Sequence, residues 1–259
     1  SISGPNIGEF NSNNGTGNEV IDIDGPVTIS GGSNYFNVVP NNLSNGHAVL
    51  MTIGGNVNVS GGTTVLSSES GQLDVQLAGM MSISSGMLSL KASTGKGVAT
   101  INGNVNITGG NFYFNQSATI ASSDSVIVTS LGDFTQTGGI INFCNNASST
   151  GESVWYLKGA NYSLSGSGGM ARVGSGVSTT FGKLYFARNG IISSMRNGSP
   201  LIQQVKQVVA SGCRLNLITG GLQIAAHNAP YLDMLTVQPN AILDAAGLSV
   251  FSNAQYPNT

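Results

Sequence analysis

Apolar residues in this chain alternate with polar ones at period two, in short stretches that recur along most of its length. One stretch gives Val49, Met51, Ile53, Val57 and Val59; the next gives Leu73, Val75, Leu77, Met81 and Ile83; a third gives Ala99, Ile101, Val105 and Ile107. Ser, Thr and Asn fill most of the intervening positions, which is the signature of half-buried β-strands with one solvated face. The stretches share a frame with Gly at its first and eighth positions: GPVTISGG from Gly25 to Gly32, GNVNVSGG from Gly55 to Gly62, GMMSISSG from Gly79 to Gly86, GNVNITGG from Gly103 to Gly110 and GDFTQTGG from Gly132 to Gly139. A blurred sixth copy runs from Gly159 to Gly166, and the anchors are 30, 24, 24, 29 and 27 residues apart.

After the second Gly of each frame the inward phase slips by one residue, as at Leu88 and Leu90, Phe112 and Phe114, or Ile141 and Phe143. A slip at a Gly predicts a corner, where the chain turns and begins a second strand, and glycine can take the positive φ such a corner needs. The ten frame glycines (Gly25, Gly32, Gly55, Gly62, Gly79, Gly86, Gly103, Gly110, Gly132 and Gly139) are therefore structural corner candidates. Strand, corner, strand and a variable polar loop make one coil, and a coil buries its inward face only by stacking on its neighbours. The prediction is an all-β, right-handed parallel β-helix (β-solenoid) of about 24–30 residues per coil, because parallel crossovers are right-handed. A β-sandwich or barrel is the competing architecture, but its strands recur every 8 to 12 residues or so without such a frame. Residues 1–166 read as regular repeats, and 167–259 as continuing, more irregular coils of the same elongated domain.

Beyond Gly166 strands are expected at Lys183–Ala187, Cys213–Leu217, Leu222–Ile224, Leu235–Val237, Ala241–Leu243 and Leu248–Val250. The segment 199–212 is ambiguous. Ser199 and Pro200 followed by Leu201, Ile202, Val205, Val208 and Val209 read as a short capped amphipathic helix, whereas strand pairing in a solenoid would override that propensity.

Composition narrows the function classes. The 259 residues include 37 Gly, 34 Ser, 28 Asn and 18 Thr, with only 9 Lys+Arg and 11 Asp+Glu and a formal charge of −2. A helical bundle is excluded by the density of poor helix formers, and a disordered charged tail by the 40% hydrophobic content. The sparse basic residues exclude nucleic-acid binding, and no apolar run is long enough to insert in a membrane. Before Lys91 there are six acids and no base (−6); from Lys91 onward there are nine bases and five acids (+4), and Ser153 to Leu232 contains no acid. The chain does not start with Met, and is read as a mature product or a piece of a longer chain. Cys144 and Cys213 lack metal-site spacing; they are two buried thiols or a single bridge.

With the frame in place, GDFTQTGG and its following Ile140, Ile141, Asn142 and Phe143, the GNVNVSGG and GNVNITGG copies, and the run LDMLTVQPNAILD from Leu232 to Asp244 resemble segments of giant cell-surface adhesins of Bacteroidota, the SprB-like gliding-motility adhesins. The similarity covers 20 to 166 by repeat grammar and 181 to 251 more loosely. It implies type IX secretion, an extended filament attached to the outer membrane of a Gram-negative cell, and adhesion to an external surface or polysaccharide. Its partners would then be the adjacent repeats of the same polypeptide and that outside surface. It carries no catalytic residues across.

A solenoid polysaccharide lyase or hydrolase is the alternative function, and it needs acids and a base on one face. The bases Arg172, Lys183, Arg188, Arg196, Lys206 and Arg214 fall in the acid-free span instead, so no catalytic residue is assigned. Asp22 and Asp24 share a strand face where Ca²⁺ could bridge them; solvated outward acids are the simpler reading, and no cofactor is expected. His47 and His227 are isolated. Trp155, Tyr156 and Tyr162 could stack on sugars, although Trp155 falls at the inward phase and points to core packing. Lys158, Arg172 and Arg188 are weak glycan-contact candidates. Ice binding needs a flat Thr-x-Thr array, and the outward Asn58, Ser82, Asn106 and Thr135 do not provide one.

Overall fold

The structure, a computed structural model, describes residues 7–9, 18–36, 48–68, 70–117, 124–144, 151–171, 182–195, 205–219, 222–224, 235–248 and 250–252. It is a β-solenoid. Every strand pairing among these residues is parallel, and no helix occurs among them. A nine-stranded sheet stacks Glu19–Ile23, Val49–Ile53, Leu73–Leu77, Gly97–Ile101, Ser125–Ser130, Glu152–Leu157, Gly182–Phe186, Val205–Val209 and Leu235–Val237, one strand per coil. Nine rungs at a spacing of about 4.8 Å make a stack of about 40 Å. A fifteen-stranded sheet takes the rest of each coil, through Val27–Tyr35, Val57–Ser67, Met81–Lys91 and their successors.

Each regular coil turns two corners rather than the one that the phase slip announces. In the second coil the first corner is Gly54-Gly55-Asn56, between Val49–Ile53 and Val57–Ser67. Its three residues keep Ile53 and Val57 in the same inward phase, so the alternation runs through it unmarked. The second corner lies inside Val57–Ser67, where the register to Met81–Lys91 shifts between Val59 and Ser60 and again between Ser60 and Thr63. Four residues, an even number, separate the inward Val59 and Thr64 at that corner, which produces the slip.

The two sets of corner glycines meet different demands. Gly32, Gly62, Gly86, Gly110 and Gly139 have φ of 75°, 70°, 74°, 67° and 67°, a region that β-carbon sterics close to most residues. Gly55, Gly79, Gly103 and Gly132 stack on one another at the first corner, where a β-carbon on Gly103 would lie 2.6 Å from the Gly79 carbonyl carbon. Gly25 begins this column and has nothing within 4 Å of such an atom. In later coils the corner becomes a hydrogen-bonded four-residue turn: Cys213 N–H donates to Ala210 O at 3.1 Å, Ala241 to Gln238 at 3.0 Å and Leu248 to Ala245 at 2.7 Å. The regular spacing of the Gly frame is therefore lost at these turns while the coil continues.

Inward side chains form continuous columns along the axis. Met51, Val75, Ala99, Val128, Trp155 and Leu184 are register partners on successive rungs, and all are buried. Each buried aliphatic side chain contributes roughly 1.5–3 kcal/mol. At mid-stack the columns widen into an aromatic cluster, with Trp155 edge-on to Phe112, Phe114 and Phe134 at centroid distances of 6.2, 5.7 and 5.1 Å. Sugar stacking is thereby closed to Trp155.

Three placements depart from the simple alternation. Lys91 is fully buried and donates from Nζ to the Gly71 carbonyl at 2.6 Å, in space left by the missing side chain of Gly97. Gln136 occupies an aliphatic column and donates from Nε2 to the carbonyls of Gly138, Gly139 and Gly169 at 3.3, 3.0 and 2.8 Å, tying the second corner to the next coil. The ambiguous 199–212 segment contains a strand, Val205–Val209, paired with Gly182–Phe186 and Leu235–Val237. Ladder pairing on both edges overrides the helical spacing there; residues 199–204 lie outside the described set. The last strand among the described residues is Val250–Ser252, which begins two residues beyond the expected start.

Candidate functional site

Because the inward positions are filled by core, any contact surface is built from the outward residues, and the coils present them in columns. On the fifteen-stranded sheet, Thr28, Asn58, Ser82, Asn106, Thr135 and Ser163 follow one another in register, an uncharged line of hydroxyls and amides. Beside it Ser30, Ser60, Ser84, Thr108 and Thr137 are exposed at the second corner. Ser60 and Ser84 hydroxyls donate to the Ile29 and Val59 carbonyls of the preceding coil at 3.3 and 3.4 Å, so part of this polar surface also ties coil to coil.

The first corner carries a second axial ladder. Asn56 Oδ1 accepts the Met80 N–H at 2.8 Å, and Asn104 Oδ1 accepts the Asp133 N–H at 2.9 Å. Asp133 continues it, accepting the N–H groups of Ala160 and Asn161 at 2.8 and 3.0 Å on Oδ1 and Asn161 Nδ2 at 2.7 Å on Oδ2. Burial pushes the Asp133 carboxyl up, but these hydrogen bonds and the Arg188 charge outweigh it and hold the pKa below the ordinary 3.8. Below this corner Tyr162 is buried and donates its hydroxyl to the Gly159 carbonyl at 2.6 Å. Burial pushes that phenol well above its usual range, so it is a fixed donor.

A basic aromatic patch lies on the nine-stranded sheet. Tyr156 and Tyr185 are register partners on adjacent rungs, flanked on their strands by buried residues, so both rings stand on the outer face. Their centroids are 4.9 Å apart with planes tilted by 30°. Lys183 and Lys206 are also register partners, two residues before this aromatic column. On its other side Lys158 and Arg188 are exposed, and Arg188 Nη1 donates to the Lys158 carbonyl at 3.4 Å. Lys183 is paired with Glu152 at 2.5 Å.

Of the glycan-contact candidates the structure brings Lys158 and Arg188 together; Arg172 lies outside the described residues, as do His47, His227 and Arg196. Tyr185, Lys183 and Lys206 join Tyr156 in a grouping absent from the motif reading. They are 27 to 50 positions from Tyr156 in sequence, and the detectable signal was their common phase relative to inward Trp155, Leu184 and Gln207. Asp22 and Asp24 are exposed at the start of the stack, and no group of three or more metal-ligating side chains occurs among the described residues. Cys144 and Cys213 are not joined in a disulfide, and the first is buried and the second half-buried. Arg214 pairs with Asp244 across one rung at 2.6 Å. Comparison of the chain with protein-family models, curated proteins and solved structures returns no match.

Proposed function

We propose that the chain is a structural and adhesive segment of a long extracellular cell-surface adhesin or filament, with the solenoid as a stiff spacer that presents its outer faces to an external surface or polysaccharide. The observation that supports this most is the stack itself: parallel rungs run from Glu19–Ile23 to Leu235–Val237, with the side-chain chemistry outside the core arranged in axial columns. Parallel ladders joined coil by coil make the element long and stiff in one direction. Outward hydroxyls and amides keep it hydrated, and the asymmetry of −6 before Lys91 and +4 after it favours head-to-tail alignment with neighbouring repeats. Resemblance to the gliding-motility adhesins adds the cellular setting: type IX export and attachment at the outer membrane. Gliding would then use the rod as the part that reaches the substratum.

In-frame removal of residues 19–252 from the parent gene tests this reading. Cells should keep the remainder of the parent protein at their surface and lose attachment; unchanged attachment with the remainder still displayed would overturn it.

A further inference from the structure

We propose that two copies of this chain pair antiparallel through the outer face of the nine-stranded sheet, with the two-fold axis along its fifth rung, Ser125–Ser130. The pairing is argued from this face alone. Its consequence for cells rests on the adhesive reading above: filaments anchored on facing cells meet in opposite orientation, so the same contact would join cell to cell.

Outward apolar side chains mark the face. Its middle column carries Val20, Leu50, Asp74, Val98 and Ile127 on the first five rungs, then Val154 and Lys183 on the next two. Val20 and Leu50 are 69% and 42% exposed, and Val98 and Ile127 are half-buried. The fifteen-stranded sheet shows hydroxyls and amides at the matching outward positions, so apolar surface is concentrated on one side of the stack. Covering such surface is favourable by roughly 25 cal/mol per Å². Strands of about five residues on nine rungs give a face of roughly 16 by 40 Å. A pair would then bury about 1,300 Å² in all, at the lower end of the roughly 1,200–2,000 Å² of specific interfaces.

Charge selects the partner and its direction. In face-to-face packing about an axis parallel to the fifth strand, the rung order inverts and each column meets itself, so the third rung lies opposite the seventh and the fourth opposite the sixth. Asp74 of one copy then faces Lys183 of the other. In the adjacent column Lys96, exposed just before Gly97, faces Glu152, also exposed. Each contact occurs twice by symmetry. Lys183 and Glu152 are already joined within a copy at 2.5 Å, and the pairing extends that bridge into a line of four alternating charges, a network rather than an isolated surface pair. Val98 falls opposite Val154, Ile127 opposite itself and Lys206 opposite Leu50, so no like charges meet in these two columns. Pairing with the rungs in the same order sets Asp74 against Asp74 and Lys183 against Lys183. The gradient from −6 before Lys91 to +4 from Lys91 onward disfavours that arrangement further and supports the antiparallel one.

Sedimentation equilibrium of the whole chain over a range of concentrations tests the proposal. The mass should rise with concentration to twice the 26.4 kDa of the chain and stop there. D74K and K183E should each raise the dimer Kd about tenfold or more, because each sets like charges across the axis. An equimolar mixture of the two should recover the dimer, since each variant supplies the charge the other has lost. Both sites are on the outer face, and thermal unfolding of each variant checks that it folds; should K183E fail to fold beside Glu152, I127D, which places a charge against itself on the axis, replaces it as the second disruptive variant. T135K adds a charge on the other sheet and should leave the mass unchanged. A wild-type chain that stays monomeric, full pairing by folded D74K and K183E, no recovery in their mixture, or an equal loss in T135K would each overturn the pairing. So would open-ended growth beyond two chains, which marks end-to-end stacking instead. Those outcomes would leave the adhesive reading to the deletion experiment, which does not depend on this face.

Discussion

Trp155 donates its indole Nε1–H to the Ser130 hydroxyl at 2.8 Å, one rung away in the same sheet, with both side chains buried. The hydroxyl lets the largest side chain of the core sit in an otherwise apolar column. Ser130→Ala should leave the indole donor orphaned and cost about 1–3 kcal/mol in urea unfolding. Trp155→Ala empties the centre of the aromatic cluster and should cost about 3–5 kcal/mol.

Glycine substitutions separate the two corners. A β-carbon on Gly110 would lie 2.5 Å from the Gly86 carbonyl oxygen at a residue whose φ is 67°. Gly110→Val therefore meets both a clash and a strained backbone, and should lower the unfolding free energy by more than about 3 kcal/mol or prevent folding. Gly25→Ala, with open space around it, should change it by less than about 0.5 kcal/mol. Denaturant midpoints of the two variants check the contrast.

Asp133 gives the stack an acid-sensitive corner. Its folded pKa is lowered below 3.8 by the Asn161 and Ala160 hydrogen bonds and Arg188, against the opposing effect of burial. A depressed carboxylate stabilises the fold above its unfolded pKa, and that stabilisation is lost as pH falls through the folded value. Asp133→Asn keeps an acceptor oxygen but removes the charge. Its melting temperature should fall below that of the wild type at neutral pH, and the gap should close as the pH drops below 3.8.

The two thiols should behave differently. Cys144 is buried and Cys213 half-buried, and neither is bridged. Titration of the native protein with a thiol reagent should label Cys213 first, with Cys144 reacting on unfolding; electrophoretic mobility should not change with reductant.

Most of the solenoid was legible because its core follows the shortest period in protein structure. Val49, Met51 and Ile53 announce an inward column, and the slip at Gly62 announces a corner. The first corner was hidden because Gly54, Gly55 and Asn56 preserve the inward phase. Val205–Val209 was hidden by apolar spacing that suits a helix equally well, until partners on both edges decide it. Nothing in the local sequence marks Lys91 as buried, because its burial depends on space beside Gly97 and a carbonyl twenty residues earlier. The candidate patch was half legible: Lys158, Arg188 and Tyr156 stood out by type, whereas Tyr185 becomes their neighbour through a ladder register that local sequence does not contain.

The most direct test of the central claim is the mass of the native polypeptide that carries this sequence, released by protease shaving of intact cells and compared with whole-cell lysate. The account predicts a surface-exposed parent of several hundred kilodaltons, cleaved when intact cells are treated. A secreted species close to the 26.4 kDa of this chain, untouched by shaving, would contradict it.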